Sequence, residues 1–345
     1  MERLLITLIL VCTMNNITNA QNPFYGQYHT PHEAVPFDRI ETEHYEPAIL
    51  EGIRLQNAEI EAIIQNPEKA DFTNTIEAFD ESGELLDRVV AVFGNMLSAE
   101  TNDDLQELAQ KIMPLLSEHS NNITLNEKLF ARVKEVYNQK EALQLTQEQK
   151  QLLENAYNSF VRHGANLEGE AREEYRRLTT ELSKLTLTFS ENNLKETNAY
   201  QMLLTKKESL AGLPEIIIEA AAETAKSEGK EGWAFTLHAP SYIPFMTYSD
   251  NRDLRQKLYM AYNTKCTHDN EFNNIDIVKK IANTRMKIAQ LLGYKDYAEY
   301  TLKKRMAENS KSVYKLLNQL LEAYTPTAQQ EYKEIQAVSY THLRA

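Results

Sequence analysis

The chain has 345 residues, long enough for one large domain or two medium ones with a sizeable core. Its formal net charge of -13 gives no electrostatic basis for binding nucleic acid or an anionic membrane, because both would repel it. With only 10 glycines and 10 prolines, the composition argues against a β-rich or disordered chain.

The first twenty residues have the pattern of a secretory signal peptide. Arg3 precedes an apolar run, residues 4–14, and the segment ends at Ala20 among small or polar residues. The run is too short to span a bilayer. We therefore expect cleavage after Ala20, export to the periplasm if the source has an outer membrane, and no membrane attachment afterwards. A lipoprotein anchored through Cys12 is the alternative, which the bulky Val11 disfavours.

Apolar residues then recur at helical spacing along the mature chain. The stripe between Phe72 and Leu97 predicts one long helix, with a capping box of Asn74 and Glu77 at its start and a weak point at Gly83. These apolar stripes are expected to form a core, not a cofactor site.

Three further helices are predicted in the next hundred residues. The first begins at "TNDD" and should be kinked or ended by Pro114. The second opens with a capping box of Thr146 and Gln149 and is closed by Gly164. The third follows the three-four spacing of apolar residues between Tyr175 and Phe189.

The pattern changes after Tyr200. "YQMLLT" and "WAFTLH" are short runs rich in apolar and aromatic residues, separated by a helix-like segment, and they predict a small strand pair near residues 200–238. Helices then return, with Asp250 or Asn251 as an N-cap and later segments near residues 275–292, 297–306 and 312–338. The predicted fold class is therefore mainly α.

The last seven residues, "SYTHLRA" (339–345), do not fit the preceding pattern. They supply no helix cap and resemble a translated adapter joined to an interrupted reading frame. We expect residues 21–338 to be a truncated helical protein and residues 339–345 to be a foreign tail. A genuine tail is the alternative.

The stretch "YHTPHEAVPFDRIETEHYEPAI" places three histidines among acidic residues and begins the zinc-peptidase pattern His-Glu-x-x-His at His32. That pattern needs histidines at i and i+4 on one helix face so that both bind the metal. Proline occupies the second ligand position, Pro36, and it also disfavours the helix. We therefore predict loop or helix-start roles for His32 and His44 and assign no metal ligand.

Cys266 is the single cysteine of the predicted mature chain, so it cannot form an internal disulfide or a multi-cysteine metal site. A nucleophilic role would need a base, and His268 lies two positions away. We predict instead that Cys266 is a small, half-buried residue. The chain also lacks a nucleophile elbow, a P-loop and a dinucleotide-binding glycine motif.

Several stretches nevertheless resemble the thimet oligopeptidase-like zinc peptidases, and within them the bacterial dipeptidyl carboxypeptidase branch. They occur in the family's order between Asn22 and about Val338, and no single one is diagnostic. The stretches are "NPFYGQYHTPHEAVPFDRIETEHYEPAILEGI", "FTNTIEAFDESGELLDRVVAVFGNMLSAETN", "HSNNITLNEKLFARVKEVY", "FVRHGANL", "ELSKLTLTFSENNLKETNAY", "LAGLPE", "FTLHAPSYIPFMTYSDNRDLRQKLYMAY" and "AQLLGYKDYAEYTLKKRMA".

The resemblance implies a helical lobe of a two-lobed channel peptidase, which admits short unstructured peptides and excludes folded proteins. It implies a zinc cofactor whose ligands, with the catalytic residues, lie beyond the end of this chain. No catalytic or metal-binding residue is therefore assigned a number, and this chain is expected to be inactive by itself. The resemblance favours release of C-terminal dipeptides. The alternative is a non-catalytic helical protein that binds peptides or a partner.

Within this resemblance, the stretch "SYIPFMTYSDNRDLR" has two interpretations. It is either a wall element near the substrate path or an ordinary loop-to-helix junction with Tyr242, Phe245 and Tyr248 in the core. The core interpretation is favoured. Arg252 and Arg255 are expected to pair with nearby acids, not with a peptide carboxylate.

Overall fold

Helices form most of the backbone in the computed structural model, which describes residues 22–342. This confirms the mainly α fold class. The contacts divide the chain between Ala282 and Asn283, inside one helix, Ile275–Leu291. The predicted signal peptide, with Cys12, and residues 343–345 lie outside the described residues.

The first unit, described from residue 22 to residue 282, contains a long series of helices and one pair of strands. In chain order its elements are α1 (Thr42–Gln65), a π-helix (Phe72–Glu77), α2 (Ala78–Asp80), α3 (Glu84–Ala99), α4 (Asp103–Thr124), α5 (Glu127–Asn138), α6 (Gln147–Arg162), α7 (Gly169–Ala199), β1 (Gln201–Leu204), α8 (Glu215–Ser227), β2 (Trp233–Thr236), α9 (Ala239–Tyr248), α10 (Arg252–Asn263) and the start of α11 (Ile275–Leu291). Short 3₁₀ turns lie at Pro23–Tyr25, Pro31–Glu33 and Lys207–Leu210.

The strands form the predicted antiparallel pair, which is confirmed, with Met202 opposite Phe235. Both side chains are buried, at 2% and 0% exposure, and they belong to an apolar core that also contains Phe245 and Leu258. The pair therefore fixes helices α9 and α10 against the sheet through a shared core.

Two other cores hold the helices of the first unit together. One joins the C-terminal half of α1 to the π-helix, α5 and α6, with Phe160 at its centre. The other joins the N-terminal half of α1 to α3 and α4, with Phe93 and Ile112 fully buried. Because α1 contributes to both cores, it ties the two halves of this helical region together.

The predicted single helix between Phe72 and Leu97 is wrong. Gly83 adopts a left-handed conformation, with φ of 87°, and separates the π-helix and α2 from α3. A Cβ at Gly83 would lie 2.3 Å from the Gln56 side chain, so the turn requires glycine there. The capping box also differs from the prediction, since it pairs Asp71 with Asn74.

Two other predicted boundaries agree with the structure, and one does not. The capping box of Thr146 and Gln149 opens α6, and Gly164 follows its end in a left-handed conformation. Asn251, one of two predicted caps, accepts from the Leu254 amide at the start of α10. Pro114 does not end α4, which continues to Thr124.

The second unit, residues 283–342, contains the rest of α11, α12 (Tyr297–Leu302) and the long helix α13 (Ser310–His342). Arg285 lies over the Tyr297 ring at 5.4 Å, which packs α12 against α11 within this unit. Helix α13 includes Ser339 to His342, the start of the predicted foreign tail, whose origin stays a prediction.

Helix α13 leaves its apolar residues in solvent. Leu316, Leu320 and Tyr324 are 57%, 41% and 66% exposed. Within residues 22–342, no helix has both the length and the apolar character needed to cross a membrane.

Candidate functional site

The histidines of the opening stretch are separated in the structure. His32 and Glu33 lie in an exposed 3₁₀ turn with positive φ angles of 58° and 56°. His44 lies in the first turn of α1, where its Nδ1 accepts a hydrogen bond from the Glu41 amide at 2.9 Å. That bond makes His44 part of a capping box. The loop and helix-start roles predicted from the sequence agree with these positions.

Among the residues that the structure describes, no three His, Cys, Asp or Glu side chains are placed to share a metal ion. Catalytic zinc sites use three protein ligands and leave a fourth position for water. The described side chains, those of residues 22–339, therefore do not fit a zinc ion.

Cys266 is buried, at 5% exposure, so the half-buried position predicted for it is wrong. Its main-chain amide donates to the Glu196 carboxylate. Burial, together with Glu196, raises the pKa of the Cys266 thiol to about 11. A nucleophilic cysteine needs the opposite shift, because the thiolate is the reactive form. His268 Nε2 lies 3.9 Å from Glu196 Oε1.

The residues of "SYIPFMTYSDNRDLR" divide between core and surface. Phe245 is fully buried and packs against Phe235 with ring centroids 4.6 Å apart. Tyr248, which was predicted to be buried, is 52% exposed. The core interpretation is therefore confirmed for Phe245 and wrong for Tyr248.

The junction after α9 is held by main-chain bonds. The Asp250 amide donates to the Ala211 carbonyl at 2.9 Å. Gly212 has a positive φ, and a Cβ there would also lie 2.3 Å from the Tyr248 carbonyl oxygen, so this position requires glycine. Arg255 donates to the Ser249 carbonyl, which differs from the predicted pairing with an acid. The pairing expected for Arg252 stays a prediction.

Three tyrosines from α9 and α10 form what we call the tyrosine cluster: Tyr242, Tyr259 and Tyr262. Tyr242 and Tyr262 stack with centroids 4.2 Å apart and an interplanar angle of 19°. Tyr259 and Tyr262 remain 50% and 38% exposed. Lys265 Nζ lies 4.5 Å from the centroid of the Tyr262 ring and donates to Thr197 Oγ1 at 3.1 Å.

The cluster presents neutral hydrogen-bonding groups beside one fixed cation. Burial raises the pKa of Tyr242, and neighbouring Tyr259 and Tyr262 raise it further, so this phenol stays protonated at neutral pH. A protonated phenol can donate to a peptide carbonyl, and the Lys265 ammonium favours a nearby carboxylate. Because Tyr259 and Tyr262 are three residues apart on α10, helical spacing was the available sequence signal for this face.

Comparison with known proteins gives the chain a family. Peptidase family M3 matches residues 245–344, a range that begins beside the tyrosine cluster. The chain is 35% identical to the dipeptidyl carboxypeptidase of Escherichia coli over 318 residues, which cover 92% of this chain and 47% of that relative. This chain belongs to peptidase family M3.

Two further relatives cover the same wide part of the chain. The oligopeptidase A of Haemophilus influenzae is 32% identical over 304 residues, 87% of this chain and 44% of the relative. A thimet-like oligopeptidase of Dictyostelium discoideum is 26% identical over 281 residues, 80% of this chain and 40% of the relative. The chain thus spans about half the length of the curated relatives it matches.

Proposed function

We propose that this chain is the N-terminal part of an exported zinc metallopeptidase that cleaves short oligopeptides and releases dipeptides from their C-terminal ends. The observation that carries the proposal is the alignment with the Escherichia coli dipeptidyl carboxypeptidase, which covers 92% of this chain and 47% of that relative. An active site in the other half of such a protein is consistent with the lack of a three-ligand group among the described side chains, those of residues 22–339.

In this proposal, zinc and its ligands lie outside this sequence, and the residues of this chain perform no step on the metal. Their proposed contribution is to hold the peptide. The exposed apolar stripe of α13, which includes Leu316, Leu320 and Tyr324, supports a larger protein because apolar patches of this kind mark covered surfaces. Export rests on the signal-peptide pattern of residues 1–20.

The tyrosine cluster is the proposed contact for the substrate backbone. Tyr259 and Tyr262 are exposed enough to reach a bound peptide, and the Tyr262 ring is held by stacking on Tyr242 and by Lys265. Aromatic rings of this kind offer contact area with few torsions to immobilise. The occupant implied by the family is a short, unstructured peptide.

The deciding experiment begins with a long sequencing read of the native locus, in frame past the codon for Val338. The product of the extended frame and the 345-residue chain are then assayed on an oligopeptide with a blocked N-terminus. We expect hydrolysis and stoichiometric zinc for the extended product, and neither for the 345-residue chain. Activity or stoichiometric zinc in the 345-residue chain would overturn the assignment of the active site to the missing half.

The dipeptide specificity has its own test on the extended product. A peptidyl-dipeptidase requires the free C-terminal carboxylate, so amidation of the substrate should abolish cleavage and the first product from the free acid should be its C-terminal dipeptide. An oligopeptidase would cleave the amidated peptide at an internal bond. That result would contradict the proposed release of C-terminal dipeptides.

A substitution in the tyrosine cluster tests the substrate contact. Tyr262→Phe in the extended product should raise KM by about threefold to tenfold with little change in kcat, because it removes one neutral hydrogen bond and leaves the ring in place. Tyr332→Phe, on the exposed surface of α13, is the matched control. Equal KM and kcat values for both variants would mean that the tyrosine cluster does not contact the substrate.

The alternative is a non-catalytic helical protein that binds peptides or a partner. It is favoured by the exposed tyrosine cluster, which can bind a peptide without a metal. A confirmed stop codon after Ala345 in the native locus, with a folded product that binds peptides and leaves them uncut, would establish it.

A further inference from the structure

A cavity of about 380 Å³ lies between helices α3, α4 and α7 of the first unit, away from the tyrosine cluster. Its volume is in the range of small-molecule sites. Apolar side chains form much of its wall, and they come from all three helices: Leu97, Met113, Leu187 and Leu194.

Three of the hydroxyl groups in the wall can act toward a ligand only as acceptors. Ser98 Oγ donates to the Gly94 carbonyl at 2.9 Å, Thr186 Oγ1 donates to the Leu182 carbonyl at 2.9 Å, and Ser190 Oγ donates to the Thr186 carbonyl at 3.1 Å. Each hydroxyl has one proton, and its own helix takes it. Only the lone pairs of these three hydroxyl oxygens remain free to bind a ligand.

Three more oxygens in the same wall are buried without a hydrogen-bond partner: Thr101 Oγ1, Gln106 Oε1 and Glu191 Oε1. Gln106 is 8% exposed, so its carbonyl oxygen is shielded from water. Glu191 has one satisfied oxygen, Oε2, which accepts from Gln110 Nε2 at 2.7 Å. Buried polar oxygens without partners are uncommon and cost free energy until a hydrogen-bonding group reaches them. Gln106 Oε1 and Glu191 Oε1 can only accept, whereas the Thr101 hydroxyl can also donate.

We propose that this cavity binds a primary ammonium group carried on a short apolar chain. A primary ammonium has three donors and no acceptor, which matches a wall that offers acceptors and one carboxylate. The apolar chain would lie against the leucines and Met113. Because the unpartnered oxygens are shielded, small side-chain rotations must accompany binding, and the new charge-assisted hydrogen bonds favour those rotations.

The same wall discriminates against other small molecules. The Glu191 charge would repel a carboxylate ligand, and among the unpartnered oxygens only the Thr101 hydroxyl could donate a hydrogen bond to it. A neutral alcohol offers one donor where the wall has several acceptors. Free amino acids and dipeptides carry a carboxylate besides their amine, so the site is distinct from a site for the proposed peptidase products.

The test is isothermal titration calorimetry of the purified chain with n-hexylamine at pH 7.5, where this amine is protonated. n-Hexanol and hexanoate are the neutral and anionic controls of equal chain length. We expect saturable binding of the amine at one site and at least tenfold weaker binding of both controls, since hydrogen bonds to charged groups are the stronger ones.

Two variants locate the binding in this cavity. Glu191→Gln keeps the shape but removes the charge and should weaken amine binding about tenfold or more. Glu173→Gln, an exposed residue of the same helix, should change nothing. Gly94→Leu should abolish binding, because Gly94 lines the cavity and a Cβ there has open space within 4 Å.

Gly94→Leu also separates loss of the site from loss of the fold. Replacing a glycine inside a helix by leucine raises helix propensity, so its unfolding midpoint should equal or exceed that of the parent chain. Failure of the parent chain to bind n-hexylamine would overturn the proposal. So would binding that Gly94→Leu leaves unchanged, or n-hexanol binding as tightly as the amine. None of these results depends on peptidase activity.

Discussion

Helices α1 and α13 both carry an apolar stripe, but they use it in opposite ways. Ile49 and Ile60 of α1 are 0% and 5% exposed, whereas Leu317 and Leu321 of α13 are 51% and 66% exposed. Helical spacing of apolar residues is present in both. The difference teaches that such spacing predicts a helix and the side it will bury, while burial itself requires a partner that the spacing does not identify.

Helix α1 packs closely against α3 and forms polar bonds with neighbouring segments. Gly52 lies so close to α3 that an added Cβ would be 2.9 Å from the Leu86 Cα. Gln56 Oε1 bonds His119 Nε2 of α4 at 2.7 Å, and Gln56 Nε2 donates to the Ser82 carbonyl at 3.3 Å. Backbone proximity and polar bonds therefore add to the apolar contacts of α1.

The largest expected difference between the two helices comes from truncating a leucine or isoleucine. Ile49→Ala should lower the free energy of unfolding by about 3 kcal/mol, because it removes buried methyl groups and leaves a cavity. Leu317→Ala should change it by less than about 0.5 kcal/mol, because that side chain is in solvent. Urea unfolding followed by circular dichroism measures both, and similar losses would contradict the comparison.

A second test uses the close approach of α1 and α3. Gly52→Ala should cost about 2 kcal/mol, since the new methyl group meets the main chain of Leu86 and the helices must separate. The matched control is Gly94→Ala on α3, where a Cβ meets nothing within 4 Å and the better helix former should add about 0.5–1 kcal/mol. An unchanged free energy of unfolding for Gly52→Ala would mean that α1 and α3 are not in tight contact at this position.

A third test uses the pH dependence of the bond between α1 and α4. Burial lowers the pKa of His119 below its ordinary value, so the folded chain releases a proton that the unfolded chain keeps. The free energy of unfolding should therefore fall as the pH drops below about 6.5. His119→Gln should show a flatter profile between pH 7.5 and 5.5, whereas His29→Gln, at an exposed position, should retain the parent slope.

The smallest effect on stability, and the clearest one on solubility, is expected in α13. Leu317→Glu combined with Leu321→Glu should leave the unfolding midpoint nearly unchanged while reducing self-association measured by light scattering, because exposed apolar patches promote aggregation. Gln319→Glu combined with Gln329→Glu adds the same charge and keeps the leucines. If that control reduces association equally, net charge and not the apolar stripe is responsible.

The elements best predicted from the sequence are those specified by local chemistry. Thr146 and Gln149 open α6 because their side chains satisfy each other's main-chain amides, and the strand pair follows short apolar and aromatic runs. Pro36 rules out a zinc-peptidase helix at His32 for an equally local reason. Membership of the peptidase family was likewise predictable, because many short stretches carry it together.

The errors came where a distant residue decides the local structure. The apolar stripe continues across Gly83, but the chain turns there in a left-handed conformation that favours glycine, with the Gln56 side chain of α1 against the turn. Tyr248 was expected in the core, whereas the strand pair and Leu258 enclose Phe245 and leave Tyr248 in solvent. In both cases the spacing is compatible with two arrangements, and packing selects one.

The sequence by itself determined a mainly helical, acidic chain of peptidase family M3. Helix periodicity, helix caps and the family resemblance all depend on residues that are close together along the chain. Tertiary structure alone decided which apolar stripes are covered, as in α1 and α13, and which side chains meet across helices. The tyrosine cluster and the acceptor-lined cavity were also decided by tertiary structure alone. Their residues are separated along the chain by as many as 100 positions, and only the packing of helices brings their groups within a few ångströms.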